Sequence, residues 1–342
     1  MGATFCIAAL TLATQTANKP DMGAKIQALS NDLRQTLTLF DSLVVKVKDE
    51  KEAKQLYANF FEKLELIGQT ADKYVILSKS DDEKAKVAVI RFEALSNAGR
   101  NLQQIETMAN DIAAKYKESP ALCPKIEDLT FYQYLTPERY GAFDTALKQS
   151  KNEEVLASAN LASNFIQFLT DAGDVNKFKK ISQQYPKTKA GIRAGRVFDL
   201  RTKLILGQPM INLDLELLNG TKVSVDKMKG KVIVLDFWGF WSPPCITELP
   251  EIKEYVSKYP TRLAWIGINT DNWTTGFVAQ RIKDSGITWA NVAASSPTGT
   301  LPMDLGIVNY PSKIIIDSFG MVRYVPSTQN WRTALDEAID KS

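Results

Sequence analysis

Residues 21–206 show the hydrophobic periodicity of helices, and no stretch among them is typical of a strand. The clearest segment begins at Ser80, which with Glu83 forms an S-x-x-E capping box, and continues without proline to about residue 117. Its apolar positions alternate spacings of three and four, as one helix face requires. These positions are Leu95, Ala98, Leu102, Ile105, Ala109, Ile112 and Tyr116. The pattern is too short for an extended coiled coil and predicts a packed helical hairpin.

Later segments of this half also carry helix-boundary signals. Pro137 follows a threonine, as at a helix start, and Ser150 with Glu153 forms a second capping box. Residues 178–194 resemble one joint of a tetratricopeptide-type array, in which a Tyr-Pro turn separates two amphipathic helices, although no period of about 34 residues follows. We therefore predict a helical, weakly tetratricopeptide-like domain over residues 21–206, of a kind that mostly docks partners.

The hydrophobic pattern changes at Gly207. A Gly-Gln-Pro sequence breaks the last helix, after which leucines alternate with polar residues up to an Asn-Gly turn at Gly220. The chain then returns through residues 222–225, which predicts a β-hairpin. This hairpin marks the predicted start of a second domain, residues 207–342.

Strands and helices alternate in the second domain before two final strands pair as a hairpin. The predicted strands are residues 232–237, 263–269, 313–317 and 321–325, and the predicted helices are residues 243–258, 274–285 and 331–341. This order predicts a mixed sheet with helices on both faces. The expected fold class is an all-α N-terminal domain followed by an α/β domain.

Residues 1–20 fit two interpretations. Residues 3–13 form an apolar run of signal-peptide length followed by a polar, linker-like stretch, but no lysine or arginine precedes the run. The segment is either a signal peptide with a linker or the first helix of the helical domain. Because the run is too short to cross a bilayer, we expect no transmembrane span.

The composition is that of a globular protein, with 44% hydrophobic and 24% charged residues. The 42 basic and 39 acidic residues give a formal charge of +3 and no basic stripe of the kind that binds phosphates. We therefore expect no nucleic-acid partner.

The chain contains no histidine, which excludes Ser-His-Asp and Cys-His catalytic triads and the HExxH metal motif. Its cysteines, Cys6, Cys123 and Cys245, are far apart and lack the spacing of zinc ligands. We expect neither a metal site nor a cofactor.

The chemistry-bearing residues concentrate in residues 231–250, KVIVLDFWGFWSPPCITELP, where an apolar strand leads into a two-proline turn and a cysteine at a helix start. Together with NYPSKIIIDSFGMV before the last hairpin, this order resembles the thioredoxin superfamily. Within it, the segment is similar to the LDFWATWCPPCRAELP of TlpA/ResA-type thiol-disulfide oxidoreductases. The resemblance covers residues 207–342 and does not extend to the helical half.

By this resemblance, Cys245 occupies the position of the second, resolving cysteine of the family, and Ser242 replaces the first, attacking cysteine. Asp236 matches a buried acid that serves proton transfer beside the cysteines. Glu248 matches an acid that the family keeps near its active site. The resemblance thus implies a catalytic site with one thiol missing.

The same resemblance implies a surface that binds a protein or peptide partner. Pro311 matches the cis-proline that faces the cysteine pair, and the backbone before it, at Tyr310, would meet an extended substrate. Trp238, Trp241 and Pro244 belong to the strand end and turn that shape this surface. Family members are commonly exported, so we expect an extracytoplasmic location, periplasmic or in the cell envelope.

The serine removes the reaction of the family. A thiol at a helix N-terminus ionises readily because unpaired N–H groups and the helix dipole favour the anion, and a second thiol then resolves the mixed disulfide. A serine hydroxyl is too weakly acidic for this role, and no histidine exists to activate it. Serine is a good N-cap, so we expect the helix itself to lose nothing. The dithiol cycle cannot run.

Each of these residues also fits a structural role. Cys245 is expected to be either a buried small side chain or a usable single thiol. Asp236 fits a buried acid satisfied by hydrogen bonds, and Glu248 fits a first-turn helix acid stabilised by the dipole. The tryptophans fit core positions as well as a binding surface.

Three functions remain open at this point. The first is a binding or accessory module without dithiol activity in extracytoplasmic thiol-redox or envelope processes. The second is a thiol-disulfide oxidoreductase that uses Cys245 alone, with Cys123 or an external thiol as its partner. In the third, Ser242 is an engineered replacement in an active dithiol oxidoreductase. A peroxiredoxin is disfavoured, because Thr247 follows Cys245 rather than preceding it.

Overall fold

The computed structural model describes a helical part followed by an α/β part. The described residues are 21–44, 46–127, 130, 137–169, 173–271, 275–293, 300–326 and 330–342. Within these ranges every strand follows the last helix of the N-terminal part, which confirms the expected fold class. The expectations for residues 1–20, including Cys6, lie outside the described residues.

The helical part is built from helices that pack against their neighbours in sequence. The helices are α1 (Met22–Val44), α2 (Glu50–Leu77), α3 (Asp81–Asn97), α4 (Leu102–Tyr116), α5 (Pro137–Lys148), α6 (Glu153–Leu169), α7 (Val175–Gln184) and α8 (Lys189–Lys203). A 3₁₀ helix, Pro120–Lys125, follows α4 and carries Cys123. Helices α7 and α8 meet at the Tyr-Pro turn that the sequence predicts.

The apolar positions expected on one helix face are divided between α3 and α4, because the chain turns between these two helices. The predicted capping box at Ser80 forms. Gly99, however, has a φ of +80°, a left-handed conformation that glycine adopts without steric cost and that commonly follows a helix end. Asn101 then starts α4 with a capping box of its own. Leu102, predicted on the apolar face, is exposed.

The second predicted capping box, at Ser150 and Glu153, does not form. The side chain of Asn152 accepts hydrogen bonds from the backbone N–H groups of Glu154 and Val155 at 3.0 and 3.2 Å. The Ser150 hydroxyl accepts from the N–H of Asn152 instead. Asn152, adjacent to the helix start, is nearer to the unpaired N–H groups than Ser150 and therefore supplies the cap.

A five-stranded mixed sheet forms the centre of the α/β part, in the order β5-β4-β3-β6-β7. Its strands are β3 (Val232–Trp238), β4 (Leu263–Asn269), β5 (Ala290–Val292), β6 (Ser312–Ile316) and β7 (Val322–Tyr324). Strand β3 is parallel to β4 and antiparallel to β6. The predicted hairpin forms separately from β1 (Asp214–Glu216) and β2 (Lys222–Ser224).

Helices cover both faces of this sheet. They are α9 (Pro243–Lys258), α10 (Thr275–Asp284), α11 (Leu301–Leu305) and α12 (Trp331–Asp340). Helices α9, α10 and α12 pack on the face that holds Val232, Val234 and Trp238. Helix α11 and the β1-β2 hairpin pack on the opposite face. The sequence analysis missed β5 and α11, which are too short to show a hydrophobic period.

Helix α8 contributes to the cores of both parts. Ala194 and Val197 pack in the helical core with Phe178, whereas Leu200 packs under the sheet with Leu301. The domain boundary between residues 206 and 207 stays a prediction.

The packing of the sheet around β4 can be tested at Gly267. A Cβ at this position would overlap the Asn291 side chain and lie 2.6 Å from Trp238 Nε1, and these two side chains share a buried hydrogen bond of 2.9 Å. We expect Gly267→Ala to lower the free energy of unfolding by about 2 kcal/mol, as overpacked cores do. Urea denaturation measures the change.

Gly276→Ala on α10 is the matched control. Its added Cβ meets no atom within 4 Å, so it should raise the free energy of unfolding by up to about 1 kcal/mol through helix propensity. A Gly267→Ala protein as stable as the wild type would contradict the described packing.

Candidate functional site

The turn after β3 brings Ser242 and Cys245 to the N-terminus of α9. Pro243 and Pro244 are the first two helical residues, where the missing N–H groups cost nothing. The N–H of Cys245 donates to the Ser242 carbonyl at 3.0 Å. The turn thus places the two predicted reactive positions side by side.

The side chain of Ser242 does not cap the helix, contrary to expectation. The two prolines remove N–H groups that a cap would bind, and the N–H of Cys245 is already bonded to the Ser242 carbonyl. The Ser242 side chain instead hydrogen-bonds to the Cys245 thiol. Ser242 is only 3% exposed, so it is a buried partner of the sulfur.

Cys245 is buried, with 2% of its surface exposed. Burial raises the pKa of its thiol, while hydrogen bonds from the Ser242 side chain and the Gly239 backbone oppose the shift. Burial also raises the pKa of Tyr310 to about 12, with Cys245 adding to the effect. Both groups are therefore protonated at neutral pH.

A buried lysine lies between the two predicted acids. Lys313 Nζ is 3.1 Å from Asp236 Oδ1 and 2.6 Å from Glu248 Oε2. Burial alone would lower the pKa of Lys313, but the two carboxylates raise it above its ordinary value. Burial raises the pKa of Asp236, with Lys313 opposing the shift. Sequence analysis missed Lys313, although a lysine opening the apolar run KIII is a visible signal.

Two tryptophans complete this cluster. Trp265 Nε1 donates to Asp236 Oδ2 at 3.0 Å. Lys313 Nζ lies 4.8 Å from the centroid of the Trp331 ring, a cation–π distance. Glu248 lies in the second turn of α9, not in the first as its structural interpretation required. Its carboxylate is held by Lys313 rather than by the helix dipole.

Asp271 holds the turn before Ser242. Its carboxylate accepts from the N–H groups of Phe240 and Trp241 at 2.9 and 3.3 Å, and from the Asn269 side chain at 2.6 Å. Burial raises the pKa of Asp271, and these hydrogen bonds oppose the shift. Sequence analysis missed this residue because its partners are about 30 positions away, as the two backbone contacts show.

An aromatic surface lies beside the buried thiol. Trp241 is 56% exposed, and its ring meets that of Tyr310 edge to face at a centroid distance of 5.4 Å. The Tyr310–Pro311 peptide bond is cis, and Pro244 is exposed. Trp238, which was expected on this surface, lies in the core because β3 is the central strand.

A cleft of about 450 Å³ adjoins this surface on the side of the lysine. Its lining residues include Pro311, Ser312, Glu248, Lys313 and Trp331. The cleft therefore connects the cis-proline loop to the buried charges.

Some chemistry finds no support in the described part of the chain. No group of three or more Cys, Asp or Glu side chains there could hold a metal ion. No described helix is long and apolar enough to cross a membrane. Cys123 and Cys245 are both free thiols, and Cys123 packs against the core of the helical part.

Comparison with known proteins agrees with the fold of the α/β part. Residues 206–325 match the model of the AhpC/TSA family. The chain is 26% identical over 145 residues to the thiol-disulfide oxidoreductase ResA of Bacillus cereus, covering 42% of this chain and 82% of that protein. It is 23% identical over 167 residues to the thioredoxin-like protein YneN of Bacillus subtilis, covering 46% and 85%.

Solved structures are similar over the same part. A thioredoxin family thiol:disulfide interchange protein from Chlorobium tepidum is 21% identical, with a TM-score of 0.34, covering 40% of this chain and 98% of that one. The family match over residues 206–325 confirms the expected resemblance for the C-terminal part.

The burial of Cys245 predicts a slow thiol. At pH 7 we expect its alkylation by iodoacetamide to be at least about tenfold slower than that of an exposed cysteine, and its rate to keep rising beyond about pH 8.5, where an exposed thiol begins to level off. Ser242→Ala removes a hydrogen bond that favours the thiolate and should slow the reaction further. Site-resolved mass spectrometry follows each cysteine separately. Rapid labelling of Cys245 at pH 7 would contradict the described burial.

Removing the charge of Lys313 should destabilise the folded protein, because the neighbouring carboxylates are no longer neutralised by it. We expect Lys313→Met to lower the free energy of unfolding by about 3 kcal/mol at pH 7, because the buried Asp236 loses its cation and Glu248 keeps only Arg332, at 3.7 Å. A carboxyl whose pKa is raised on folding favours the folded state as pH falls, so the loss should shrink at pH 5. Urea denaturation at both pH values measures it.

Lys341→Met, at an exposed lysine, is the control and should change the free energy of unfolding by less than about 0.5 kcal/mol. A small, pH-independent loss for Lys313→Met would show that the cluster is not buried as described.

Proposed function

We propose that this protein is an extracytoplasmic binding module for a protein or peptide partner, with a thioredoxin-like domain that lacks dithiol oxidoreductase activity. The observation that carries the proposal is Ser242, which stands at the attacking position and hydrogen-bonds to a buried Cys245. The reaction has lost its nucleophile, while the neighbouring surface remains.

Disulfide exchange needs a thiolate that can reach a disulfide sulfur. Ser242 supplies no thiolate, and the pKa of Cys245 is raised by burial. With 2% of its surface exposed, Cys245 also lacks room for the in-line approach of a second sulfur. A monothiol reaction is therefore the less favoured function, and the experiment below tests it.

The binding surface has the character of an interface. Trp241, Ile246 and Val308 are large, apolar and exposed. Tryptophan and tyrosine are enriched among residues that dominate binding energy, and Tyr310 packs directly against Trp241. This apolar surface fits an extended polypeptide better than a small polar molecule.

The location and process rest on separate support. The apolar run over residues 3–13 fits an export signal, and a similar protein is named a thiol-disulfide oxidoreductase. Both favour a place in extracytoplasmic thiol-redox or envelope processes, where the protein would bind partners rather than oxidise or reduce them. The helical part offers further surface for docking.

The first test asks whether partner binding requires the Cys245 thiol. The probe is reduced, carboxymethylated lactalbumin, a polypeptide that stays unfolded and has no free thiol. We expect the wild type and Cys245→Ala to bind it equally in isothermal titration calorimetry, and Trp241→Ala to bind at least about tenfold more weakly, since truncating a hot-spot residue costs about 2 kcal/mol or more. Because the probe offers no sulfur to Cys245, the monothiol function is tested separately: reduction of a fluorescent glutathione disulfide by the wild type but not by Cys245→Ala would favour it.

Restoring the missing sulfur is the second test. Because position 242 is only 3% exposed in the wild type, we expect Ser242→Cys to form an internal disulfide with Cys245 but to reduce a fluorescent glutathione disulfide no faster than the wild type. Full dithiol turnover by this variant would contradict the proposal and would favour a replaced active-site cysteine.

A further inference from the structure

Helix α11 connects the helical part to the loop that carries Tyr310 and the cis-proline. Arg193 of α8 donates from Nε and Nη2 to Asp304 Oδ1 at 3.0 and 2.7 Å. Its Nη1 also binds Glu127. Asp304 is buried, and its other oxygen accepts from the Thr300 hydroxyl at 3.2 Å. The ion pair therefore ties α11 to two segments of the helical part.

Arg201 binds the same short helix about two turns further along α8. It donates to the carbonyls of Met303 and Asp304 at 2.6 and 3.0 Å. These carbonyls lie at the C-terminus of α11, where helices have unpaired acceptors. The guanidinium also lies 4.2 Å from the centroid of the Phe168 ring. Burial lowers the pKa of Arg201 to about 10, with Asp304 opposing the shift.

A continuous series of contacts runs from α11 to the binding surface. The helix ends at Gly306, with a φ of +77°, and the N–H of Ile307 donates to the carbonyl of Pro302 in the helix at 2.8 Å. The Tyr310 hydroxyl donates to the Ile307 carbonyl at 3.3 Å. The Tyr310 ring in turn packs on Trp241. A substitution at Arg193 that displaces α11 can thus change the binding surface through this series of contacts, without a direct contact between Arg193 and the surface.

The helical part also contacts the opposite flank of the site. Helix α1 packs against α10. Arg281 of α10 lies 4.8 Å from the centroid of the Phe240 ring, in the turn before Ser242. Both chain segments that border the buried thiol therefore have support from the helical part, either directly or through one helix.

We propose that Arg193 and Arg201 are positioning residues that hold the Tyr310–Pro311 loop in its partner-binding conformation. Through them, the helical part controls the affinity of the surface, and a partner that shifts α11 would change binding at Trp241. The inference rests on the proposed function and adds its regulation. Two sites linked in this way share a coupling free energy, which appears as a change in dissociation constant.

Arg193→Met in the full-length chain tests the coupling. We expect it to weaken binding of carboxymethylated lactalbumin by about tenfold, within the usual range of such couplings. Hydrogen exchange of residues 306–311 should become faster, while exchange of β4 stays unchanged. Arg196→Met, at an exposed arginine of the same helix, is the matched control and should alter neither quantity.

Arg193→Lys is the milder second variant. It keeps the charge but loses the two-pronged contact with Asp304, so it should fold and show a smaller loss of affinity with a smaller rise in exchange. Unchanged exchange of residues 306–311 in both variants would overturn the inference. Faster exchange in a protein whose wild type does not bind the probe would contradict the proposed function and leave the positioning role supported.

Discussion

The ion cluster of Asp236, Lys313 and Glu248 is the constraint on which the site depends. Asp236 and Lys313 lie directly opposite each other on the central antiparallel strands, and Glu248 joins them from α9. Asp236 and Lys313 are buried and Glu248 is partly buried, and such charges are costly unless each has a partner. The cluster therefore fixes the relative placement of β3, β6 and α9, and with it the positions of Ser242 and the cis-proline loop. Its hydrogen bond to Trp265 and its contact with Trp331 extend that constraint across the same core.

This dependence separates the architecture of the site from its reaction. A dithiol cycle needs two sulfurs, whereas the charge cluster, the turn held by Asp271 and the loop at Pro311 need none. With a hydroxyl at position 242, the Ser242 and Cys245 side chains share a hydrogen bond. The same fold can therefore keep a shaped surface after losing its chemistry, since function resides in sites rather than in folds.

The parts of the molecule that sequence predicts well are those with local causes. The apolar run of β3, the prolines before Cys245 and the Asn-Gly hairpin each act over a few residues, and the corresponding elements form. The break at Gly99 was missed because a regular spacing of apolar residues conceals a change of direction. Lys313 and Asp271 were missed for a different reason, because their partners lie far away in the sequence and only the folded chain brings them together.

Helix α8 shows why the two parts cannot be understood as separate modules. Its residues pack in the helical core near Ala194 and under the sheet at Leu200. The same helix also presents Arg193 and Arg201 to α11. A helix shared by two cores transmits displacement as a rigid element, because close-packed interiors resist gradual deformation. The short α11 is too small to be stable alone and takes its position from these arginines together with the packing of Leu301 and Leu305 against the sheet. A binding loop that follows such a helix inherits its position from the helical part, so the affinity of the surface depends on both halves of the chain.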